Sequence, residues 1–388
     1  MDQPKKQVKP FLEYEDLVGQ LKSRGMLIDD EPRALRKIAQ VGYYRLSGYW
    51  HSARLFQKKE GRDRLYLNEF REGTRFSSIF ELYLFDKKMR VLLLDALERI
   101  EVYFRTVIAH ELGRYDPLCY LSPKTFSKDA FVDDERLRKG PSYKDWISRH
   151  HKRIAESQED SIVAHRHGDK PIPIWAAAEV WDFGALSKFY SMLSGSNQDL
   201  ICSRVGISER NVIDNWLINM NVLRNRCAHH SRVFNRPNPR GLKIPKKGYF
   251  NDLQLDAHAR EKLFGLIAVC WYLLKKIGPG SDWIRRVADL IDSIPSVPGF
   301  GLSSMGIRTE SFPRRLFPEA VIVVKMVAPV VKDFSTLSSE ALGLTREAVK
   351  YLECNLVEAG AIDEAKGLID ALLGCAQDVE DILEGGTT

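Results

Sequence analysis

From Ser77 to about Leu112 the chain contains neither Gly nor Pro. Those two residues most often interrupt or end a helix, so some ten unbroken turns are predicted here. Ser78, with Glu81 three residues on, has the pattern of a capping box at the start. Within 79–108 the apolar run is broken by Asp86, Lys87, Lys88, Arg90, Asp95, Glu98, Arg99 and Glu101. A membrane span needs about 20 nearly uncharged residues, so this helix is expected to be the spine of a soluble fold. The patterning around it is also helical. Amphipathic helices are predicted over 13–24 and 32–40, about 143–158, 175–193, 210–230, 252–277 and 282–293. Segment 41–56, VGYYRLSGYWHSARLF, reads as a helix interrupted at Gly48 or as an extended stretch. Residues 122–172 are charged and poor in aliphatics, the mark of a surface excursion, and the Pro-rich 232–251 reads as a loop. The fold class is therefore all-α.

A chain of 388 residues suggests two or three domains, and with 44% hydrophobic and 28% charged residues it is not disordered. The Pro/Gly/Ser-rich VPGFGLSSMG (297–306) marks a boundary, giving 1–308 and 309–388 as units. Their charges differ. Residues 309–388 carry 7 Lys+Arg against 14 Asp+Glu, whereas 1–308 carry 51 against 38. The basic body points to a polyanionic partner such as nucleic acid. In the acidic unit, 334–362 has the rhythm of a helix-turn-helix, winged or within a small helical bundle. Its second helix offers only Arg346 and Lys350, so an interaction or dimerisation module is expected rather than a DNA reader. The basic opening MDQPKKQVKP is not followed by an apolar run, so no signal peptide is expected. The six cysteines contain no Cys-x-x-Cys pair, which points to buried free thiols in a reducing cytoplasm, with no zinc site or disulfide framework.

The segment LRNRCAHHSRVFN (223–235) crowds Arg224, Asn225, Arg226, His229, His230 and Arg232 around small residues. Asn225 and His229 are i,i+4 and share a helix face. Such a set suits RNA cleavage without metal. A histidine near neutral pKa takes the proton from a ribose 2′-OH or protonates the leaving 5′-oxygen. A guanidinium holds the phosphate, and Asn orients imidazole or substrate. Spacing alone also fits a polar helix C-terminus at which His and Arg complement the dipole.

This segment resembles the signature of the Abi family of bacterial abortive-infection proteins (the AbiD and AbiF type), within the HEPN superfamily of all-α RNases. Four further stretches agree in order: VGYYRLSGYW (41–50), FELYLFDKKMRVLLLDALERIEVYFRT (80–106), PIPIWAAAEVWDFGALSKFYS (171–191) and PSVPGFGLSSMGI (295–307). The resemblance covers roughly 1–308. It implies a HEPN-like helical bundle with extra helices and an endoribonuclease that acts as a toxin or antiphage effector. It also implies a homodimer in which two motifs build one cleft, no cofactor, and a small RNA as antitoxin in some relatives, a protein antitoxin being the other option. The implied active-site residues are Arg224, Asn225 and His229, with His230 also satisfying the spacing. A non-catalytic RNA- or partner-binding HEPN module is the alternative. A target for a nucleotidyltransferase is a third.

Around this set, Arg232, Arg236, Arg240, Lys243, Lys246 and Lys247 are expected to hold RNA. Trp216, Leu217 and Met220 are expected either to line the dimer interface or to belong to the core. A second Arg-x4-His, Arg105–His110, is expected to be structural, with Arg105 paired to Glu101 and Glu98; the alternative is the second half of an internal catalytic pair. His150/His151 and His165/His167 lie among Lys and Arg, which repel a cation, so a solvated or RNA-contacting surface is expected rather than a metal site. Tyr43, Tyr44, Tyr49 and Trp50 are expected in a core or interface rather than stacked on bases.

Overall fold

The computed structural model describes residues 10–58, 64–137 and 139–318. The chain enters through α1 (Tyr14–Ser23) and α2 (Glu31–Val41). Asp30 starts α2 by accepting the Arg33 N–H at 2.9 Å, with Pro32 in the first turn, where its missing N–H costs nothing. α3 (Tyr43–Trp50) runs straight through Gly48. The chain then turns extended, and β1 (Arg54–Lys58) pairs antiparallel with β2 (Arg64–Phe70). This hairpin departs from the purely helical expectation. Its Phe56–Tyr66 pair, with ring centroids 5.9 Å apart, is the kind of cross-strand aromatic contact that stabilises a short ladder.

The Gly/Pro-free stretch forms α4 (Phe76–Gly113), a single helix of 38 residues. The expected capping box does not form: the chain is already helical at Phe76, and the Phe76 N–H is satisfied by the Leu27 carbonyl at 2.9 Å. Seven longer helices and three short ones follow among the described residues: α5 (Tyr143–Glu156), α6 (Asp160–His167), α7 (Ile174–Ala177), α8 (Phe183–Met192), α9 (Gly195–Val205), α10 (Arg210–Ala228), α11 (Tyr249–Leu253), α12 (Ala257–Glu261), α13 (Leu263–Ile277) and α14 (Trp283–Asp292). α4 packs against α3, α7, α8, α9, α10, α13 and α14, so the all-α reading holds with α4 at its centre. α13 is buried on every side from Leu263 to Lys275, as its continuous apolar sequence requires.

Three stretches differ from expectation. The predicted 252–277 helix is divided into α11, α12 and α13, because Gln254 turns left-handed and Lys262 is extended. The predicted 175–193 helix is broken at Trp181–Asp182, because the Asp182 carboxylate accepts the Ala185 N–H at 2.7 Å and starts α8 afresh. Residues 122–172 are more than a surface excursion: Phe126, Trp146 and Ile162 are buried. Past residue 308 the described chain stays on the body, with Phe312 and Phe317 packed on Phe264 and Phe317 on Trp271. The helix-turn-helix expected at 334–362 lies outside the described residues. Cys119, Cys202, Cys227 and Cys270 are buried free thiols. Among the described residues no helix is long and apolar enough to cross a membrane.

Candidate active site

α10 carries the Arg-Asn-x3-His segment and is fixed from behind. Trp216, Leu217, Met220, Leu223 and Cys227 form its buried stripe, so the first three are core and do not line an interface. Beside this stripe the helix presents Asn221, Arg224 and Asn225. The helix ends in a complete Schellman turn, with the Ser231 N–H on Arg226 O (2.8 Å) and the His230 N–H on Cys227 O (3.1 Å). His229 is the last, capping residue, and His230 follows in the left-handed region at φ +57. Both imidazoles are exposed. Arg45 donates to the His230 carbonyl at 2.8 Å, tying the turn to α3.

The chain after the turn is held to α3 and α4 by a buried cluster. Asp86 Oδ1 accepts the backbone N–H groups of Val233 (3.2 Å) and Phe234 (2.7 Å). Its Oδ2 takes the Tyr49 hydroxyl at 2.7 Å and pairs with Arg90. Tyr49 and Trp50 are therefore core residues, Tyr43 is half-buried and Tyr44 exposed. Arg232 is half-buried too. Its guanidinium donates to the Gly48 carbonyl and lies over the Tyr49 ring, which ties it to α3. Arg236, Arg240, Lys243, Lys246 and Lys247 are exposed. The backbone of this basic loop is pinned to α10: Asn215 Oδ1 accepts the Lys243 N–H at 2.9 Å, and Trp216 Nε1 donates to Lys243 O at 2.8 Å.

Arg224 and Asn225 open onto a polar cleft of about 440 Å³ between α5, α8 and α10. α5 contributes Asp145, Arg149 and Arg153, spaced i, i+4, i+8 along one face. α8 contributes Gly184 and Lys188, again i,i+4. A Cβ at Gly184 would meet Asp182 Oδ1 at 3.3 Å and Asn221 Oδ1 at 3.5 Å, so glycine keeps the floor open. Arg153 is paired with Asp182 at 2.6 Å. Within α10, Arg224 Nη1 donates to Asn225 Oδ1 at 3.3 Å, and Asn225 Nδ2 to Asn221 Oδ1 at 3.4 Å. Behind the cleft, Glu101 Oε2 lies 3.8 Å from Arg224 Nε. Among the described residues no group of three or more His, Cys, Asp or Glu side chains is arranged to hold a metal ion.

The second Arg-x4-His behaves as a support. Arg105 donates to Glu101 (2.8 Å), Glu179 (3.3 Å) and the Trp181 carbonyl (2.9 Å). Glu98, expected in this network, is exposed and takes no part. Arg105 and His110 together line a cavity other than the one at Arg224, with Arg114 and Trp175. The expectation for His150 is overturned: it is buried, its ring lies parallel to Trp146 at 5.4 Å, and its Nδ1 accepts from Trp181 Nε1 at 3.0 Å. Burial, aided by His151 and Arg153, pulls its pKa down to about 4, so it is a neutral core residue. His151, His165 and His167 are exposed.

Sequence reading missed Arg149, Arg153 and Lys188. The available signal was the i,i+4 spacing of Asp145, Arg149 and Arg153 beside the buried Trp146–His150 pair. A family model described as Abi-like protein matches residues 36–235, which include α4, all three cleft helices and the whole LRNRCAHHSRVFN segment. No curated protein and no solved structure matches the chain. The family match spans just over half of the chain and ends with its signature turn, and the protein accordingly belongs to the Abi-like protein family.

Proposed function

We propose that this protein is a HEPN-type, metal-independent endoribonuclease that serves as an abortive-infection effector, acting on RNA in the cytoplasm. One observation carries the reading: Arg224 and Asn225 face a cationic cleft one turn before an exposed histidine pair at the end of the same helix. Arg224 is braced by Glu101 through Nε and donates through Nη1 to Asn225 Oδ1, which leaves its Nη2 N–H groups for the non-bridging oxygens of a phosphate. An imidazole takes the 2′-OH proton, O2′ forms a bond to phosphorus, and the bond to the 5′-oxygen breaks. That oxygen leaves with a proton from a second imidazole. The products are a 2′,3′-cyclic phosphate and a 5′-OH end.

His229 caps the helix while His230 is turned away in the left-handed conformation, so one chain is poorly built to offer acid and base to the same phosphate. The second imidazole is assigned to a second copy across an isologous two-fold interface. The internal alternative, Arg105 with His110, is disfavoured because both line a cavity other than the one at Arg224. The exposed residues of the basic loop guide RNA toward the site, and a small RNA or a protein serves as antitoxin. The test is incubation of the purified chain with RNA in excess EDTA and mapping of 5′-OH ends, beside His229→Ala. Cleavage abolished by EDTA, or undiminished in the folded variant, would falsify the mechanism. RNA binding without any cleavage would leave the non-catalytic binding module as the reading.

A further inference from the structure

We infer that Arg149 and Lys188 form a subsite for a backbone phosphate of the RNA strand, adjacent to the phosphate held at Arg224; this rests on the RNA reading above. Two of the cations in the cleft already have partners. Arg153 is paired with Asp182, and Arg224 is braced by Glu101. Arg149 and Lys188 line the same cleft, and neither side chain makes an ion pair or hydrogen bond among the described residues. They come from different helices, 39 positions apart in sequence, and are brought together only by the packing of α5 on α8.

Two like charges facing one cavity repel each other, and the cost grows as water is withdrawn. Burial, first, and then the neighbouring Arg149 pull the Lys188 pKa down, against the opposing pull of Asp182 and Asp145 in the same cleft. A phosphate between them removes that cost. The cleft is also shaped for it. Gly184 leaves the floor without a side chain, Asn221 supplies amide groups, and the indole of Trp146 closes the inner wall. Trp146 is itself fixed, its Nε1 donating to the Ala185 carbonyl at 3.0 Å. At about 440 Å³ the space exceeds a phosphate group and admits a nucleotide, as a strand crossing the cleft toward Arg224 requires. The exposed loop residues attract RNA at long range, whereas this pair fixes its register.

The experiment uses the full chain carrying His229→Ala, so that the strand survives, and a labelled single-stranded RNA oligonucleotide titrated at several salt concentrations. Adding Arg149→Met and Lys188→Met is expected to weaken binding at least tenfold and to flatten the log K against log salt slope by about 0.7, the value for one phosphate on a single strand. Lys188→Arg should retain most of the affinity. Both side chains are exposed, and a melting curve checks that the variants fold. Unchanged affinity and slope in the folded double variant overturns the subsite, even if the parent chain cleaves RNA. Weakened binding in a protein whose parent does not cleave supports the subsite and overturns the nuclease reading alone. Failure of the His229→Ala chain to bind RNA at all overturns both.

Discussion

Glu101 stands between two arginines: its Oε2 lies 3.8 Å from Arg224 Nε, and its Oε1 accepts from Arg105 Nη2 at 2.8 Å. One carboxylate on the central helix thus links the arginine of the signature to that of the second Arg-x4-His stretch. Glu101→Gln keeps the acceptor for Arg105 but removes the charge that braces Arg224. Cleavage is expected to fall about tenfold or more with a small loss of melting temperature. Glu101→Ala strips both arginines at a largely buried position and should cost about 3–5 kcal/mol. Equal kinetics for Glu101→Gln and the parent would separate this carboxylate from the site.

The two adjacent histidines should be unequal. His229→Ala is expected to lower cleavage by about 10²-fold or more, the scale for removing a general acid or base. His230→Ala should retain much more activity, because that ring leaves the helix in the left-handed turn. Single-turnover rates of the two variants in EDTA decide the assignment.

Activity is expected to need two chains. Sedimentation should find a dimer, and specific activity should fall on dilution below its dissociation constant. A monomer with undiminished specific activity would return the second imidazole to a single chain.

His150 makes acid stability predictable. Its folded pKa, about 4, lies below its unfolded value of about 6.5, so the unfolded chain binds the proton first. Stability is therefore complete above about pH 6.5 and is lost as pH falls toward 4, with a limit of about 3 kcal/mol. Chemical denaturation at pH 7 and pH 4.5 measures it, and His150→Phe should flatten that part of the profile.

Within the basic loop, one residue should differ from the others. Neutralising Arg236, Arg240, Lys243, Lys246 and Lys247 should reduce the salt dependence of RNA binding and leave the melting temperature nearly unchanged. Arg232→Ala should instead lower the melting temperature, because this guanidinium binds the Gly48 carbonyl beside the Tyr49–Asp86 cluster.

The helices that matter most were legible because their signals are local. α4 shows as a long stretch without Gly or Pro, and α10 as apolar residues at helical spacing. The hairpin was not, since β1 and β2 are short and derive their stability from a pairing between them that no single window contains. Charge density misled at 150–153: HHKR reads as surface, yet His150 falls i+4 from Trp146 and turns inward with it. The Arg224–Asn225–His229 order was legible as spacing. The cations across from it were not, because Arg149 and Lys188 meet only after α5 packs on α8.

A left-handed residue at position 230 means that the backbone there favours a side chain other than the one it carries. Glycine adopts φ +57 without steric penalty, whereas an L side chain gives up about 1 kcal/mol. A laboratory selection for heat resistance alone should therefore drift toward His230→Gly, while one for the protein's action on RNA would oppose it if the ring has any part. Running the two selections in parallel would turn a single backbone angle into a measure of what this histidine contributes.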